Sequence, residues 1–249
     1  NWDSNLKDIC PEFSTPDSFV TKHMSIQDLL SHRTGWARHN ILRDNLENDY
    51  EKLFESLSHL HASCEFRSHM MYSNLNYMCL GAVLRKVTGK EWDNLMKQEL
   101  FIPLQMNATH SIMQSDIYAN TAMPHIIFED STGPELIDIH KEALLGPAGN
   151  LCSNIEDMTK WLEFQLRLRG NSLLSNKNFK IMHQPVHLFR ESPYSEKGDD
   201  YYGFGWFTSQ YKGRKMLHHG GVLYGYSPYL SFLPQEQSGI VILCNLNGA

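Results

Sequence analysis

One change of pattern along this sequence limits the folds open to it. Upstream of Tyr201, apolar residues recur every three or four positions, the spacing that aligns them on one face of a helix. Downstream, short runs rich in aromatic and β-branched residues alternate with turn residues, which predicts consecutive antiparallel strands. A helical lobe at about residues 24–200, packed on an antiparallel sheet within residues 201–249, is therefore expected, which is an α+β fold. The strands are expected at residues 204–211, 215–219, 229–233 and 240–244.

Local signals place the helices. The clearest helix is expected at residues 72–87, with Gly89 after it as a glycine C-cap. Ser25 and Asp28 form a capping-box pattern ahead of a helix, and the polar, proline-punctuated residues 1–21 predict a loop. The remaining helices are expected at residues 26–31, Asn48–His59, Trp92–Leu100 and, after a second capping box at Ser153–Glu156, up to Leu168 with a cap at Gly170.

Composition excludes several classes of protein. The net charge is −6 without a run of Lys and Arg, which argues against a nucleic-acid partner. No apolar stretch approaches the roughly 18 residues that a membrane-spanning helix needs. The 5 cysteines form no CxxC pair and the 13 histidines no HExxH pattern, so no metal site and no cofactor is predicted. The compartment stays open, with a secreted or extracellular location favoured.

Several segments, taken in order, carry a resemblance. They are the stretch Ser25–Gly35 (SIQDLLSHRTG), Tyr72-Ser73-Asn74, Phe101–Met106 (FIPLQM), Gly146–Gly149 and His219-Gly220-Gly221. Each is weak alone, but their order and spacing across the whole chain resemble the serine β-lactamase-related family, in particular class C β-lactamases and D-aminopeptidase or esterase relatives. The resemblance implies a β-lactamase/transpeptidase-like fold, and a catalytic cycle in which a serine forms an acyl-enzyme that water hydrolyses.

The resemblance also implies roles for individual residues. Tyr72 would pass a proton to the leaving group, and Asn74 would hold the substrate amide. His219 would hydrogen-bond the substrate or relay a proton. Alternation along a strand allows only one of His218 and His219 to line the site, and His219 is favoured. Substrate-binding roles fall on Gly220, Gly221 and Val222, with the Val222 N–H as an oxyanion donor.

The family's nucleophile, a Ser-x-x-Lys pair on one helical turn, has no convincing match here. The resemblance places that pair ahead of Asn1, so the domain is expected to be incomplete at both ends and inert alone. Two chance matches exist, Ser4-Asn5-Leu6-Lys7 and Ser209-Gln210-Tyr211-Lys212. Neither is followed by an apolar helix, so neither is favoured as the nucleophile.

Two functions of different classes stay open. The first is a serine hydrolase that acts on a small-molecule ester, amide or peptide, with D-amino-acid peptides and β-lactam-like compounds among the candidates. In this hypothesis His219-Gly220-Gly221 replaces the family's Lys-Thr-Gly, which removes a permanent cation and favours esterase or peptidase over β-lactamase activity. The second is a non-catalytic relative that serves as a binding or structural module. The oligomeric state is unknown.

Overall fold

A computed structural model of the protein describes residues 1–40, 42, 46, 49–111, 120–129, 132–139, 146–168, 173–194 and 196–247. Asn48, the expected start of one helix, and Gly170, the expected cap of another, lie outside these residues. Within the described ranges, most of the helices precede the main sheet along the chain. This order of elements confirms the α+β class.

The helices agree with the local signals over most of their length. A π-helical turn, Lys97–Phe101, interrupts the helix expected at Trp92–Leu100. The described helices are α1 Leu6–Ile9, α2 Ser18–His23, α3 Ile26–Leu30, α4 Tyr50–Ser58, α5 Asn74–Thr88, α6 Trp92–Met96, α7 Ile102–Leu104, α8 Gly146–Gly149, α9 Ile155–Gln165 and α10 Asn176–Met182.

The main sheet is a meander of six antiparallel strands in the spatial order β10-β9-β8-β7-β6-β5. These strands are β5 His187–Arg190, β6 Asp200–Tyr202, β7 Phe207–Tyr211, β8 Arg214–Gly220, β9 Tyr229–Leu233 and β10 Ser238–Ile242. The meander is thus confirmed, although β5 and the start of β6 come from the stretch assigned to the helical lobe. Two small sheets contain β1 His110–Ser111, β2 His125–Ile126, β3 Glu135–Leu136, β4 Leu151–Cys152 and β11 Leu246–Asn247.

Helix α5 is the centre of one apolar core. Its residues Leu75, Met78 and Cys79 are almost fully buried and belong to the same cluster as Trp36 and Leu53. The helix ends at Gly89, which has a φ of +67° and closes the last turn as predicted. This packing fixes the first turn of α5, and with it the segment that carries Tyr72 and Asn74.

A second core joins the sheet to helix α9. Leu162 on the helix packs in one cluster with Trp206, Leu217 and Phe232. The rings of Trp206 and Phe232 meet edge to face, with their centroids 5.0 Å apart. Such pairs add about 0.5–1.5 kcal/mol beyond the burial of apolar area. The sheet is therefore held firmly against a helix, which gives strand β8 a rigid base.

Three local predictions were wrong. Residues 1–21 contain α1 and the start of α2 rather than a loop throughout, because Leu6, Cys10 and Phe13 are fully buried under the helical core. The N-cap of α9 is Asn154, whose side chain accepts from the Asp157 N–H, and not Ser153. Helix α5 begins at Asn74, so Tyr72 lies just outside it, in the extended segment ahead of the N-cap.

Across the described ranges, no helix is both long and apolar enough to cross a lipid bilayer.

Candidate active site

Hydrogen bonds from the loop after α3 fix the position of Tyr72. The capping box of Ser25 and Asp28 starts α3 as predicted. The chain then turns at His32, which has a φ of +56°. The His32 carbonyl accepts from the Met71 N–H at 2.9 Å, and its Nδ1 accepts from the Ser73 N–H at 3.2 Å. The backbone on both sides of Tyr72 is therefore bonded to a single histidine.

An ion cluster around Asp28 ties the two segments together. This carboxylate is fully buried and accepts from Arg33 at 2.7 Å and from two nitrogens of Arg67 at 2.9 and 2.7 Å. Burial alone would raise the pKa of Asp28, but hydrogen bonds from Arg67 and Ser25 and the charge of Arg33 hold it below its ordinary value. Arg67 lies 39 positions beyond Asp28, so the pair fixes the approach to Tyr72.

His32 is held as a neutral imidazole of one tautomer. Its Nδ1 accepts from the Ser73 N–H, and the Asn76 amide nitrogen lies 3.0 Å away, so the proton must be on Nε2. Burial, with the charges of His219 and Arg38, lowers the pKa of His32 to about 3. Within the described residues its buried Nε2 has no hydrogen-bond partner. The His32 ring, whose centroid lies 4.3 Å from that of Tyr72, therefore has an N–H donor without an acceptor among the described residues.

The end of strand β8 forms the other side of the site. A Cβ on Gly220 would lie 3.0 Å from Cδ2 of Tyr229, and the Gly221 N–H donates to the Pro228 carbonyl at 2.9 Å. Glycine at position 220 allows this close approach of the Tyr229 ring. Val222 follows, with its side chain 69% exposed. In the part of the chain that the structure describes, its N–H donates to no protein acceptor.

The two sides meet at Tyr72 and His219, whose ring centroids are 6.1 Å apart. Tyr202, on β6, contacts both rings at centroid distances of 5.9 and 6.1 Å. On the helical side, the ring centroid of His32 lies 4.3 Å from that of Tyr72. Two histidines and two tyrosines from four separate segments therefore share one contact cluster.

The charges in this cluster are few. Burial raises the pKa of Tyr72, while the positive charge of Arg38 lowers it in part. Burial and the neighbouring His218 lower the pKa of His219, against a hydrogen bond to the Gly220 carbonyl that raises it. At neutral pH Tyr72 is thus a protonated phenol and His219 a neutral imidazole. Both forms can donate or accept a proton within a hydrogen bond.

His218 contacts a different set of residues from His219. Its Nε2 lies 3.2 Å from the buried Asp200 carboxylate and its Nδ1 lies 2.9 Å from the Tyr229 hydroxyl. Asp200 also pairs with Arg190 and Lys197, each at 2.8 Å. His218 therefore anchors the strand inside the sheet, while His219 contacts Tyr72, the arrangement that strand alternation predicts.

Comparison with known proteins adds the decisive observation. The family model described as Beta-lactamase matches residues 1–249, the whole chain. This chain belongs to the beta-lactamase family. A class C beta-lactamase has the same fold, with a TM-score of 0.79 at 16% identity over 99% of this chain and 70% of that one. The β-lactamase/transpeptidase-like fold expected from the motifs is confirmed.

Two more proteins are similar to this beta-lactamase-family chain. An unguisins hydrolase of Aspergillus campestris is 24% identical over 94% of this chain and 45% of its own length. The octameric penicillin-binding protein homologue of Pyrococcus abyssi has a TM-score of 0.78 at 19% identity, covering 99% of this chain and 56% of that one. The chain thus spans about half the length of these relatives.

The predicted residues of this beta-lactamase-family site divide into two groups. Tyr72 and His219 lie together, Gly220 ends strand β8, and Gly221 and Val222 follow it. Asn74 is the half-buried first residue of α5, two positions after Tyr72. Its contact with a substrate amide stays a prediction.

The two chance Ser-x-x-Lys matches differ from a nucleophile and its base. Lys7 donates to the carbonyls of Pro11 and Phe13 at 2.6 and 2.7 Å. Lys212 is paired with Glu196 at 3.3 Å, and Ser209 is 3% exposed with a hydroxyl that lacks a partner among the described residues. Both lysine amines are therefore engaged away from the serine that precedes them.

Two members of the site were missed by sequence reasoning. Arg38 lies with its guanidinium carbon 5.5 Å from the centre of the Tyr72 ring, and Tyr202 links both sides of the cluster. His32 has a structural role at the site, because its ring accepts from the Ser73 backbone N–H. Arg38 follows the matched stretch Ser25–Gly35 by three residues, but no spacing rule relates it to Tyr72.

Proposed function

We propose that this chain forms the supporting part of the acyl-transfer site of a serine hydrolase that cleaves esters or amides of small molecules. The proposal is carried by the contact between the Tyr72 and His219 rings, together with the N–H of Val222, three positions after His219, which has no acceptor among the described residues. These three groups could serve the two needs of acyl transfer, a proton donor for the leaving group and a donor for the oxyanion.

Tyr72 is suited to give a proton rather than to take one in the resting site. A free phenol has a pKa of about 10, and burial raises the pKa of Tyr72 further. The phenol therefore enters the reaction protonated and can protonate the departing alcohol or amine. The charge of Arg38 lowers the pKa of Tyr72 only in part, so the phenol needs a second cation beside it to become a base, and we assign that role to a lysine next to the nucleophile.

We further propose that the attacking serine and its lysine lie outside these 249 residues. The engagement of Lys7 with carbonyls and of Lys212 with Glu196 supports this view, because a base must reach the serine hydroxyl. The site described here would then complete a nucleophile that another segment supplies. Tyr72, Asn74 and His219 keep their assigned roles, with Gly220, Gly221 and Val222 along the substrate.

The test uses the full-length protein that contains this chain. A fluorophosphonate probe is expected to form a covalent adduct, and a chromogenic ester is expected to be turned over. Tyr72→Phe keeps the ring and removes the proton, so kcat should fall about 100- to 10,000-fold, the range for a general acid or base. The matched control is Tyr194→Phe, since Tyr194 is 71% exposed and lies outside the site.

Two results would count against the proposal. If the full-length protein forms no adduct and turns over no ester or amide, the non-catalytic binding or structural module becomes the better reading. If Tyr72→Phe is as active as the Tyr194→Phe control, proton transfer belongs to another residue and His219 becomes the first to replace.

A further inference from the structure

We infer that Asn76 and Thr34 are positioning residues of this site. Through a chain of buried hydrogen bonds they set the tautomer of His32, and His32 in turn holds Tyr72 in place for proton transfer. The inference deepens the proposed function and rests on it for the reaction that Tyr72 serves. Thr34 lies inside the matched stretch Ser25–Gly35, and Asn76 lies two positions beyond Asn74.

A continuous chain of hydrogen bonds joins the loop after α3 to the first turn of α5. The Trp36 N–H donates to Oγ1 of Thr34 at 3.4 Å, and the Thr34 hydroxyl donates to Oδ1 of Asn76 at 2.9 Å. Nδ2 of Asn76 lies 3.0 Å from Nδ1 of His32, which also accepts from the Ser73 N–H at 3.2 Å. The side chains of Thr34, Asn76 and His32 are fully buried, so solvent does not compete for these bonds.

Backbone donors at both ends of the chain decide the direction of its bonds. The Ser73 N–H can only donate, so Nδ1 of His32 must be an unprotonated acceptor, and the atom of Asn76 that faces it must be the amide nitrogen. Oδ1 of Asn76 then accepts the hydrogen of the Thr34 hydroxyl, whose lone pair accepts from the Trp36 N–H. One arrangement of hydrogens therefore satisfies every bond of the chain, and it puts the proton of His32 on Nε2.

The surroundings of His32 oppose a second proton. Burial, together with the charges of His219 and Arg38, lowers the pKa of His32 to about 3. On its other sides the imidazole faces the rings of Tyr72, Tyr77 and Tyr202. None of these five described neighbours has a carboxylate that would stabilise an imidazolium. The bonds of Asn76 and the charges around the ring thus favour the same neutral form.

His32 transmits this order to Tyr72. Its Nδ1 and its carbonyl accept from the N–H groups of Ser73 and Met71, on either side of Tyr72. A proton on Nδ1 would leave the Ser73 N–H without its acceptor and release the backbone of Tyr72 on one side. A displacement of about 1 Å in a reacting group can cost about 100-fold in rate. Asn76, although fully buried, therefore acts on proton transfer through His32.

The first test replaces Asn76 by the isosteric aspartate in the full-length protein. Asn76→Asp exchanges the amide donor for a carboxylate, which accepts a hydrogen from Nδ1 and stabilises His32 as an imidazolium at pH 7. With p-nitrophenyl acetate as substrate, kcat should fall about 10- to 100-fold. KM should change little, because the buried Asn76 is shielded from the substrate.

Two measurements on the same variant do not depend on turnover. The nitrogen chemical shifts of the His32 ring distinguish the neutral form with its proton on Nε2 from the imidazolium. Hydrogen exchange of the Ser73 amide reports its bond to Nδ1, and it should be faster in Asn76→Asp than in the wild type.

Thr34→Val tests the chain from its other end, and it decides the inference if Asn76→Asp does not fold. The substitution keeps the shape of the side chain and removes the donor to Oδ1 of Asn76, so the amide loses the bond that orients it. We expect kcat to fall about 2- to 10-fold, the worth of one hydrogen bond, with faster exchange of the Ser73 amide. Thr34→Ser keeps the hydroxyl and should restore both values.

Met78→Ala is the matched control. Met78 is a buried residue of the same helix, and it belongs to the apolar core rather than to the chain of hydrogen bonds. This variant should be less stable than the wild type, but its folded molecules should keep the wild-type kcat, the neutral spectrum of His32 and the slow exchange of the Ser73 amide.

Three results overturn the inference and leave the proposed function standing. They are a wild-type His32 spectrum in folded Asn76→Asp, a changed spectrum with an unchanged kcat, and a loss of kcat no larger than in Met78→Ala. If the wild-type full-length protein turns over no ester, the proposed function fails, and the Ser73 amide decides the inference. Faster exchange in Asn76→Asp than in Met78→Ala then supports it, and equal exchange overturns it.

Discussion

Each side of the candidate site contains one buried aspartate, but the two aspartates are neutralised differently. The helical wall, residues 25–38 and 67–77, has Asp28 between two guanidiniums and the N-cap of α3. The sheet wall, residues 200–229, has Asp200 with Arg190, Lys197 and His218. The charged partners of Asp28 are thus two arginines, whereas those of Asp200 include a titratable imidazole.

The exposure of the partners differs as well. Of the cations beside Asp28, Arg33 is 18% and Arg67 is 43% exposed. Of those beside Asp200, Lys197 is 22% and Arg190 is 63% exposed. A partly buried cation that loses its carboxylate cannot recover its hydration, but an exposed one can. The comparison indicates that the helical wall depends more on its aspartate than the sheet wall does. The strands have a second source of order in their backbone ladder, which the loop around His32 lacks.

Among the tests of this difference, replacing each aspartate is expected to have the largest effect. Asp28→Ala should lower the free energy of unfolding by about 3–5 kcal/mol, because two arginines lose a fully buried partner. Asp200→Ala should cost less, about 1.5–3 kcal/mol, since Arg190 turns to solvent. Urea denaturation of the two variants measures both values. Asp8→Ala, at an exposed position, is the control and should be close to wild type.

Equal losses of unfolding free energy in the two variants would contradict the difference between the walls. That result would mean that the backbone ladder adds nothing to the sheet wall, and that the two aspartates act alike. A loss in Asp200→Ala larger than in Asp28→Ala would reverse the order of the walls.

Acidification should destabilise both walls through their neutral histidines. In the helical wall the pKa of His32 is lowered to about 3, below the value of about 6.5 for an unfolded chain. The unfolded state then takes up the proton first, so stability is lost as the pH falls from about 6.5 toward 3. His218 in the sheet wall has a lowered pKa as well, with the same sign. Each such group adds a slope of up to about 1.4 kcal/mol per pH unit.

NMR chemical shifts of the imidazole nitrogens report separately on His32 and His218, and the free energy of unfolding is measured at the same pH values. At pH 5 we expect His32 to be neutral, with its proton on Nε2, because its pKa of about 3 lies below that pH. His61→Gln, a change at an exposed histidine, serves as the control and should leave the slope as it is. A charged His32 at pH 5 would contradict the assigned tautomer and the account of the helical wall.

In both walls the sequence predicts the local elements but not the contacts between distant residues. The capping box of Ser25 and Asp28 and the strands of the meander are local patterns, and the structure confirms both. The contacts that build the site are not local. Arg67 reaches Asp28 across 39 positions, and Tyr202 lies 125 positions beyond Tyr77, whose hydroxyl it faces. No periodicity encodes such pairs, so only the family motifs pointed to Tyr72 and His219.

The wrong expectation for residues 1–21 has a physical cause as well. Leu6, Cys10 and Phe13 recur at intervals of four and three, a short helical stripe between prolines and charged residues. A helix of one turn has too little propensity of its own to be predicted. It forms because the core of α5 buries those three side chains completely. Tertiary burial, rather than local preference, decides this segment.

The smallest test concerns one hydroxyl of the sheet wall. Asp200 accepts from the N–H at Nε2 of His218, which leaves Nδ1 to accept from the Tyr229 hydroxyl at 2.9 Å. Tyr229→Phe removes that donor but keeps the ring against Gly220, so it should cost about 0.5–1.5 kcal/mol of unfolding free energy. Chemical denaturation measures this, with Tyr194→Phe as the control.

The ring and the hydroxyl of Tyr229 are expected to affect activity differently. The ring approaches the position of a Gly220 Cβ to 3.0 Å, so it sets the backbone path of His219 to Val222. Tyr229→Phe should therefore keep kcat/KM of the full-length protein, whereas Tyr229→Ala should lower it together with stability. If Tyr229→Phe alone lowers kcat/KM, the bond to His218 governs the site directly, and the sheet wall depends on its titratable histidine as closely as the helical wall depends on Asp28.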